Sequence, residues 1–288
     1  MHRTLFIHCV FMFVMLTGVV NAQNQLDSKP LDPAKDPDID MFMGDYRVSL
    51  PFNTHGNITE RAVFSRLAGE DELKPQRKGA VLTRINRFSH ATMDPHVSTA
   101  PTTLKGEQEV FYFVSGTGTI TSGGKTSDLR YGIFVLVPEG VEFTIKNTGD
   151  DLLEMYIINV PIPDGFKSTT SIVVKDETTM QYRKQGFLSM HWAHNGKGIF
   201  KPKDGLAVIT QVNLLIFDPM TIGHPHSHGE GTEEVWAVVK GKNLAFIGKE
   251  IRWQGPGVAY KIPPSGFTPH SNINTTEEPI YFLYFSYL

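Results

Sequence analysis

Three histidines and one glutamate in the second half of the chain are spaced so that they could meet around a cation. His226 and His228 fall in Gly223-His224-Pro225-His226-Ser227-His228, Glu234 follows six residues on, and His270 lies beyond a turn marked by glycine and proline. Neutral imidazoles with one carboxylate suit a divalent transition metal such as Fe, Mn, Ni, Cu or Zn. A His-x-His pair on a strand turns both rings to one face, because the strand period is two. Four such groups converging inside a barrel would be costly to bury unpaired, and a metal relieves that cost. The sequence therefore predicts one metal held by His226, His228, Glu234 and His270. His224 reads as a rim residue or hydrogen-bond partner. His191 and His194, three apart around Trp192 and Ala193, could line a cleft or pack between the barrels, and packing is the plainer reading than ligation. Glu230 and Glu233 are the nearest candidates for a general base, with a solvated-loop role the plainer reading of each. No catalytic residue is assigned.

Strands must position these groups. Glu234 opens the apolar run Val235-Trp236-Ala237-Val238-Val239. Adjacent residues of a strand face opposite ways, so only one of Glu233 and Glu234 can enter the interior. The interval to Gly241 selects Glu234, and Trp236 and Val238 then share its inward face. From Ala80 onward the pattern is β, in short apolar runs such as Glu109 to Val114 and Ile133 to Val137 bounded by Gly, Pro, Asn and Asp. The chain also repeats itself. Glu109 and Glu234, Gly116 and Gly241, Gly132 and Gly257, and Pro138 and Pro263 each stand 125 residues apart, and Asn147 and Asn274 stand 127 apart. A near-constant offset means two copies of one fold. The copies differ in chemistry: Phe143 stands where the second copy has His270, Pro101 and Thr103 stand where it has His226 and His228, and His96 lies too far upstream to substitute. Glu109 is either an inherited remnant or a polar contact inside a ligand pocket.

These landmarks resemble the two motifs of the cupin superfamily: His226, His228, Glu234 and Gly241, then Gly257, Pro263, Gly266, His270 and Asn274. The match departs in having five residues between His228 and Glu234, where three or four are usual, and in a second motif slightly lengthened by Pro264 and Ser265. What the resemblance implies is an all-β chain of two double-stranded β-helix (jelly-roll) barrels. The expected layout is a signal peptide over 1–22, an arm with lead-in strands over 23–78, an N-terminal cupin without metal ligands over 79–165, a connection over 166–206, and a metal-binding cupin over 207–288. It also implies a mononuclear centre acting on a small polar, hydroxylated or carboxylated substrate, as a dioxygenase, lyase or isomerase. The alternatives are a non-catalytic metal-dependent binding protein and a hydrolase of the ureidoglycine aminohydrolase type, although those hydrolases use a different ligand pattern.

Residues 1–22 read as a cleaved secretory signal, with Arg3 before an apolar stretch too short to be a comfortable membrane span. A secreted or periplasmic protein is expected, with no membrane partner after cleavage. The single cysteine, Cys9, falls inside that leader, so the remaining chain has no disulfide or thiolate chemistry. A net charge of −3 lacks the basic stripe that nucleic acid requires. The expected partner is a small-molecule substrate, and the barrels leave homo-oligomerisation open.

Overall fold

The computed structural model describes residues 37–184 and 191–287. The predicted leader therefore lies outside the described residues. Those residues form strands and short 3-10 turns, with no α-helix among them.

The alternation of side chains builds two barrels back to back. Along Glu107–Ser115, Phe111 and Phe113 turn into the N-terminal barrel, while Val110 and Tyr112 turn toward the second barrel. Along Glu233–Lys240, Trp236 and Val238 line the C-terminal interior, while Val235 and Ala237 face the first barrel. Both faces of these central strands are buried, which is why they read as continuous apolar runs rather than alternating ones. Between the barrels, Phe88 meets Phe285 edge-on with ring centroids 5.3 Å apart.

The repeat holds strand for strand. The N-terminal sheet runs Val173–Asp176, Ile133–Val137, Glu107–Ser115, Leu153–Pro161, Arg87–Met93, Ile58–Arg66 and Pro51–Thr54. The C-terminal sheet runs Met43–Asp45, Val258–Lys261, Glu233–Lys240, Ile280–Tyr287, Ile209–Phe217, His194–Phe200 and Arg183–Lys184 in the same order. Each faces a four-stranded sheet, containing Glu142–Asn147 in one barrel and His270–Asn274 in the other.

The strands reach past the intervals expected for the barrels. Residues of the expected arm, 51–66, belong to the first barrel, and residues of the expected connection enter both sheets. The outermost strands are also exchanged between the halves. Met43–Asp45, from the N-terminal arm, pairs with Val258–Lys261 of the second barrel, and Val173–Asp176, from the connection, closes the first. Each covers an edge that would otherwise present unpaired backbone groups.

The closing asparagine of each copy is a staple. The Asn274 amide donates to the carbonyls of Phe217, Asp218 and Glu278, and the Asn147 amide donates to those of Met93, Asp94 and Asp151. Its recurrence in both copies thus reflects loop closure rather than chemistry.

Candidate metal centre

The His-x-His segment is not a strand, as the spacing alone suggested. His226 makes an isolated bridge with His270, each backbone N–H donating to the other's carbonyl (3.2 and 2.9 Å), and the chain then loops through Gly229 and Gly231. Pro225 lacks an N–H, and the two glycines favour turns over a ladder. Gly266 seats this loop. Its φ is +72°, and a Cβ there would lie 2.9 Å from the Glu230 backbone nitrogen, so only glycine permits the approach.

The rings converge nonetheless. One ring nitrogen from each of His226, His228 and His270 lies within 4.8 Å of the others. Glu234 reaches the same point, with Oε1 3.2 Å from His228 Nε2 and Oε2 3.4 Å from His270 Nε2. The structure thus brings all four predicted residues together. His226 Nδ1 lies 2.8 Å from the His224 carbonyl, which can only accept, so Nδ1 carries the proton and Nε2 keeps its lone pair. His226 Nε2 and His270 Nδ1 are buried without a hydrogen-bond partner, and His228 Nε2 and His270 Nε2 face only the Glu234 carboxylate. Buried polar atoms are rarely left so, and three imidazoles beside a carboxylate are a donor set that a divalent transition metal fits.

Glu234 is held from behind. Trp236 Nε1 donates to Oε2 (3.0 Å), and the Tyr284 hydroxyl donates to Oε1 (2.6 Å). Burial alone would raise its pKa, but the contacts from His228 and His270 outweigh burial and hold the carboxyl well below its usual range. Burial, with the charge of neighbouring histidines, depresses His226 to about 4. Trp236 packs against Tyr284 at 4.7 Å and Phe282 at 5.6 Å, so the inward assignment of this aromatic face stands. Glu233 points the other way, to Lys261, Tyr287 and Thr83, and is no base for this site. Glu230 is exposed.

Of the two readings of His191 and His194, the cleft describes what is seen, and both stand beside the centre. The His191 ring lies 4.8 Å from that of His226, and His194 lies 5.1 Å from Trp236. Burial first, then the nearby histidines, lower His194 to about 3, so it is neutral at physiological pH. Both line a cavity of about 860 Å³ that opens onto Glu234, Trp236 and Tyr284. Their spacing carried no such signal, because the hairpin of Arg183–Lys184 with His194–Phe200 lies outside the repeated motifs.

The equivalent place in the first barrel holds a different cluster. Glu109 Oε2 lies 3.0 Å from His55 Nε2, and Oε1 accepts from Arg87 (2.7 Å) and Asn159 (2.9 Å). Arg87 also donates to both oxygens of Glu60, at 2.9 and 3.2 Å. His55, Glu60 and Glu109 present donor atoms within 4.8 Å of one another, but the Arg87 guanidinium already bridges the two carboxylates there. His55 packs edge-on against Phe143, the residue standing at the place of His270. Sequence reasoning missed His55 because it sits in the turn between Pro51–Thr54 and Ile58–Arg66, upstream of the copy in which a partner for Glu109 was sought. Of the two readings of Glu109, the polar contact describes what is seen.

A pH dependence follows. Burial works against a charged His55, yet its contact with Glu109 outweighs burial and raises its pKa. A histidine raised above its unfolded value of about 6.5 adds stability that is complete below that value and lost as pH rises through the folded one. Glu109 is depressed by the same contact, which is counted once. His55→Gln should therefore lower stability at about pH 6 and flatten the decline toward about pH 9. Denaturation curves across that range check this, and parallel wild-type and variant profiles would refute it.

Two barrels of this topology, each with a seven-strand path facing a four-stranded sheet, give the chain a two-barrel cupin fold. Residues 89–159, within the N-terminal barrel, match the Cupin domain family. No curated protein matches the chain. Among solved structures, a putative glyoxylate-induced protein from Pseudomonas aeruginosa is similar at 14% identity and TM-score 0.66, covering 83% of this chain and 84% of that one. The pirin YhhW from Escherichia coli, in complex with nickel(II), is similar at 12% identity and TM-score 0.61, covering 85% and 98%. The oxalate decarboxylase of Lactobacillus farciminis, in a formate complex, is similar at 12% identity and TM-score 0.61, covering 85% of each chain. At these identities the likeness establishes the fold.

Proposed function

We propose that the C-terminal barrel is a mononuclear metal centre, with His226, His228, Glu234 and His270 as ligands, and that the protein is an enzyme acting on a small oxygen-bearing organic substrate. The observation that carries this reading is the convergence of three imidazoles on Glu234, with His226 Nε2 buried and without a hydrogen-bond partner and with Glu234 itself lining an open cavity. The first-barrel cluster differs in that the Arg87 guanidinium already neutralises Glu60 and Glu109. The nickel(II) complex of the similar pirin and the similar oxalate decarboxylase agree with such a role. A metal bound here supplies Lewis acidity or oxygen-dependent redox chemistry, which spans the dioxygenase, lyase and isomerase classes. The chain's own residues do the rest. Trp236 and Tyr284 fix the Glu234 carboxylate, and the aromatic wall of Trp236, Phe282 and Tyr260 excludes water behind it. The apolar leader over residues 5–20 supports action outside the cytoplasm.

Elemental analysis of the purified protein tests the centre. One equivalent of metal per chain is expected, lost in His228→Ala and His270→Ala and kept in His55→Ala. Two tightly bound equivalents, or full retention in both C-terminal variants, would overturn the assignment.

A further inference from the structure

The exact repeat of strand pairing permits a position-by-position comparison of the two interiors. Asn159 pairs with both Glu109 and Arg87, and Ser286 pairs with both Glu234 and Gln211, so Gln211 holds the place of Arg87. The same ladder runs from Phe113 through Met155 and Ala91 to Glu60, and from Val238 through Phe282 and Leu215 to Gly196. Gly196 thus holds the place of Glu60. In the first barrel, the Arg87–Glu60 pair fills the space beside the shared glutamate. In the second, a shorter amide and a glycine leave it open, and Gly198 continues the bare strip along His194–Phe200.

The open space is polar in a particular way. Asn213 Oδ1 is buried and unpartnered, although its amide nitrogen donates to Gln211 (3.0 Å). Both ring nitrogens of His194, a residue only 6% exposed, also lack partners. The two residues line the same cavity, on the paired strands Ile209–Phe217 and His194–Phe200. A neutral imidazole and neutral amides offer donors and acceptors side by side, as hydroxyl groups require. At the outer end the exposed Arg183, Lys201 and Lys203 line the cavity, and the one acidic residue among the lining groups there, Asp204, is already paired with Lys175. A volume of about 860 Å³ suits a ligand of sugar size or larger rather than a two-carbon acid.

We infer that this chamber is the substrate site of the C-terminal barrel and that it takes a polyhydroxylated organic acid. Asn213, Gln211 and His194 read its hydroxyls, the basic rim reads its carboxylate, and Gly196 gives it room. This rests on the metal-centre reading for its chemistry but not for its binding.

Calorimetric titration of metal-loaded and metal-free protein with galacturonate, galactose and oxalate tests it, with metal content measured separately. Galacturonate should bind at least about tenfold more tightly than galactose, a rim contribution of about 1.4 kcal/mol. Gly196→Val should weaken galacturonate at least about tenfold while metal content is unchanged. Asn213→Leu should do the same and serves if the valine variant fails to fold. Galacturonate bound by protein that takes up no metal when metal is supplied would sink the metal reading and leave the chamber standing. One equivalent of metal with no galacturonate binding, or galacturonate binding unaffected by both variants, would overturn the inference.

Discussion

Glu234→Gln is expected to strip the protein of its metal while leaving the barrel folded. The argument is local. Trp236 Nε1 and the Tyr284 hydroxyl donate to the two carboxylate oxygens. A glutamine has only one oxygen. The indole can only donate, so the amide oxygen must turn to Trp236, and the hydroxyl of Tyr284 can rotate to accept from the NH₂. The side chain therefore fits, but it offers its NH₂ where Oε1 faced His228 and has lost the charge. Changes to outer-shell partners weaken metal sites by about 10–100-fold, so loss of a charged ligand should exceed about 100-fold. After dialysis, metal content should fall from about one equivalent to a small fraction, with the melting curve of the metal-free protein unchanged. Tyr284→Phe, which removes one support and no ligand, should fall in the milder range. Full metal retention by the glutamine variant would show that Glu234 is not a ligand.

Much of this site was legible because it rests on local rules. Parity along Glu233–Lys240 separates Glu234 from Glu233 and brings Trp236 inward, and strand parity is fixed once the apolar run is recognised. The repeat was legible because its turns need glycine or proline whatever lies between them. His55, and the placement of His191 and His194 beside the centre, were not, for a common reason: each belongs to a hairpin packed against its barrel, and its approach to the shared glutamate depends on the whole sheet order rather than on spacing. The exchanged edge strands were hidden similarly. Met43–Asp45 is three residues long and carries no pattern that names its partner some 215 residues away. The His-x-His segment shows the opposite error, a strand expected from two well-placed residues where Pro225 and the following glycines favour a loop.

Glu233→Gln should produce the converse phenotype: metal retained, stability lost. Glu233 is 2% exposed and turns toward the first barrel. It pairs with Lys261 and accepts from the Thr83 hydroxyl and, at 2.8 Å, from the Tyr287 hydroxyl. Lys261 is fully buried; burial lowers its pKa, and the Glu233 carboxylate opposes that. Removing the carboxylate leaves an ammonium with no counter-charge in an apolar seam, which typically costs about 3–5 kcal/mol, with deprotonation of the lysine limiting the loss. Replacing both residues, as Glu233→Gln with Lys261→Met, should recover most of it, because the stranded charge is gone and the thioether chain fills similar volume. A double-mutant cycle from denaturation curves would then show strong coupling between the two positions. The adjacent glutamates thus divide their tasks, one joining the barrels and one facing the centre. Metal loss from Glu233→Gln together with retention in Glu234→Gln would place the strand one residue out of register and reverse that division.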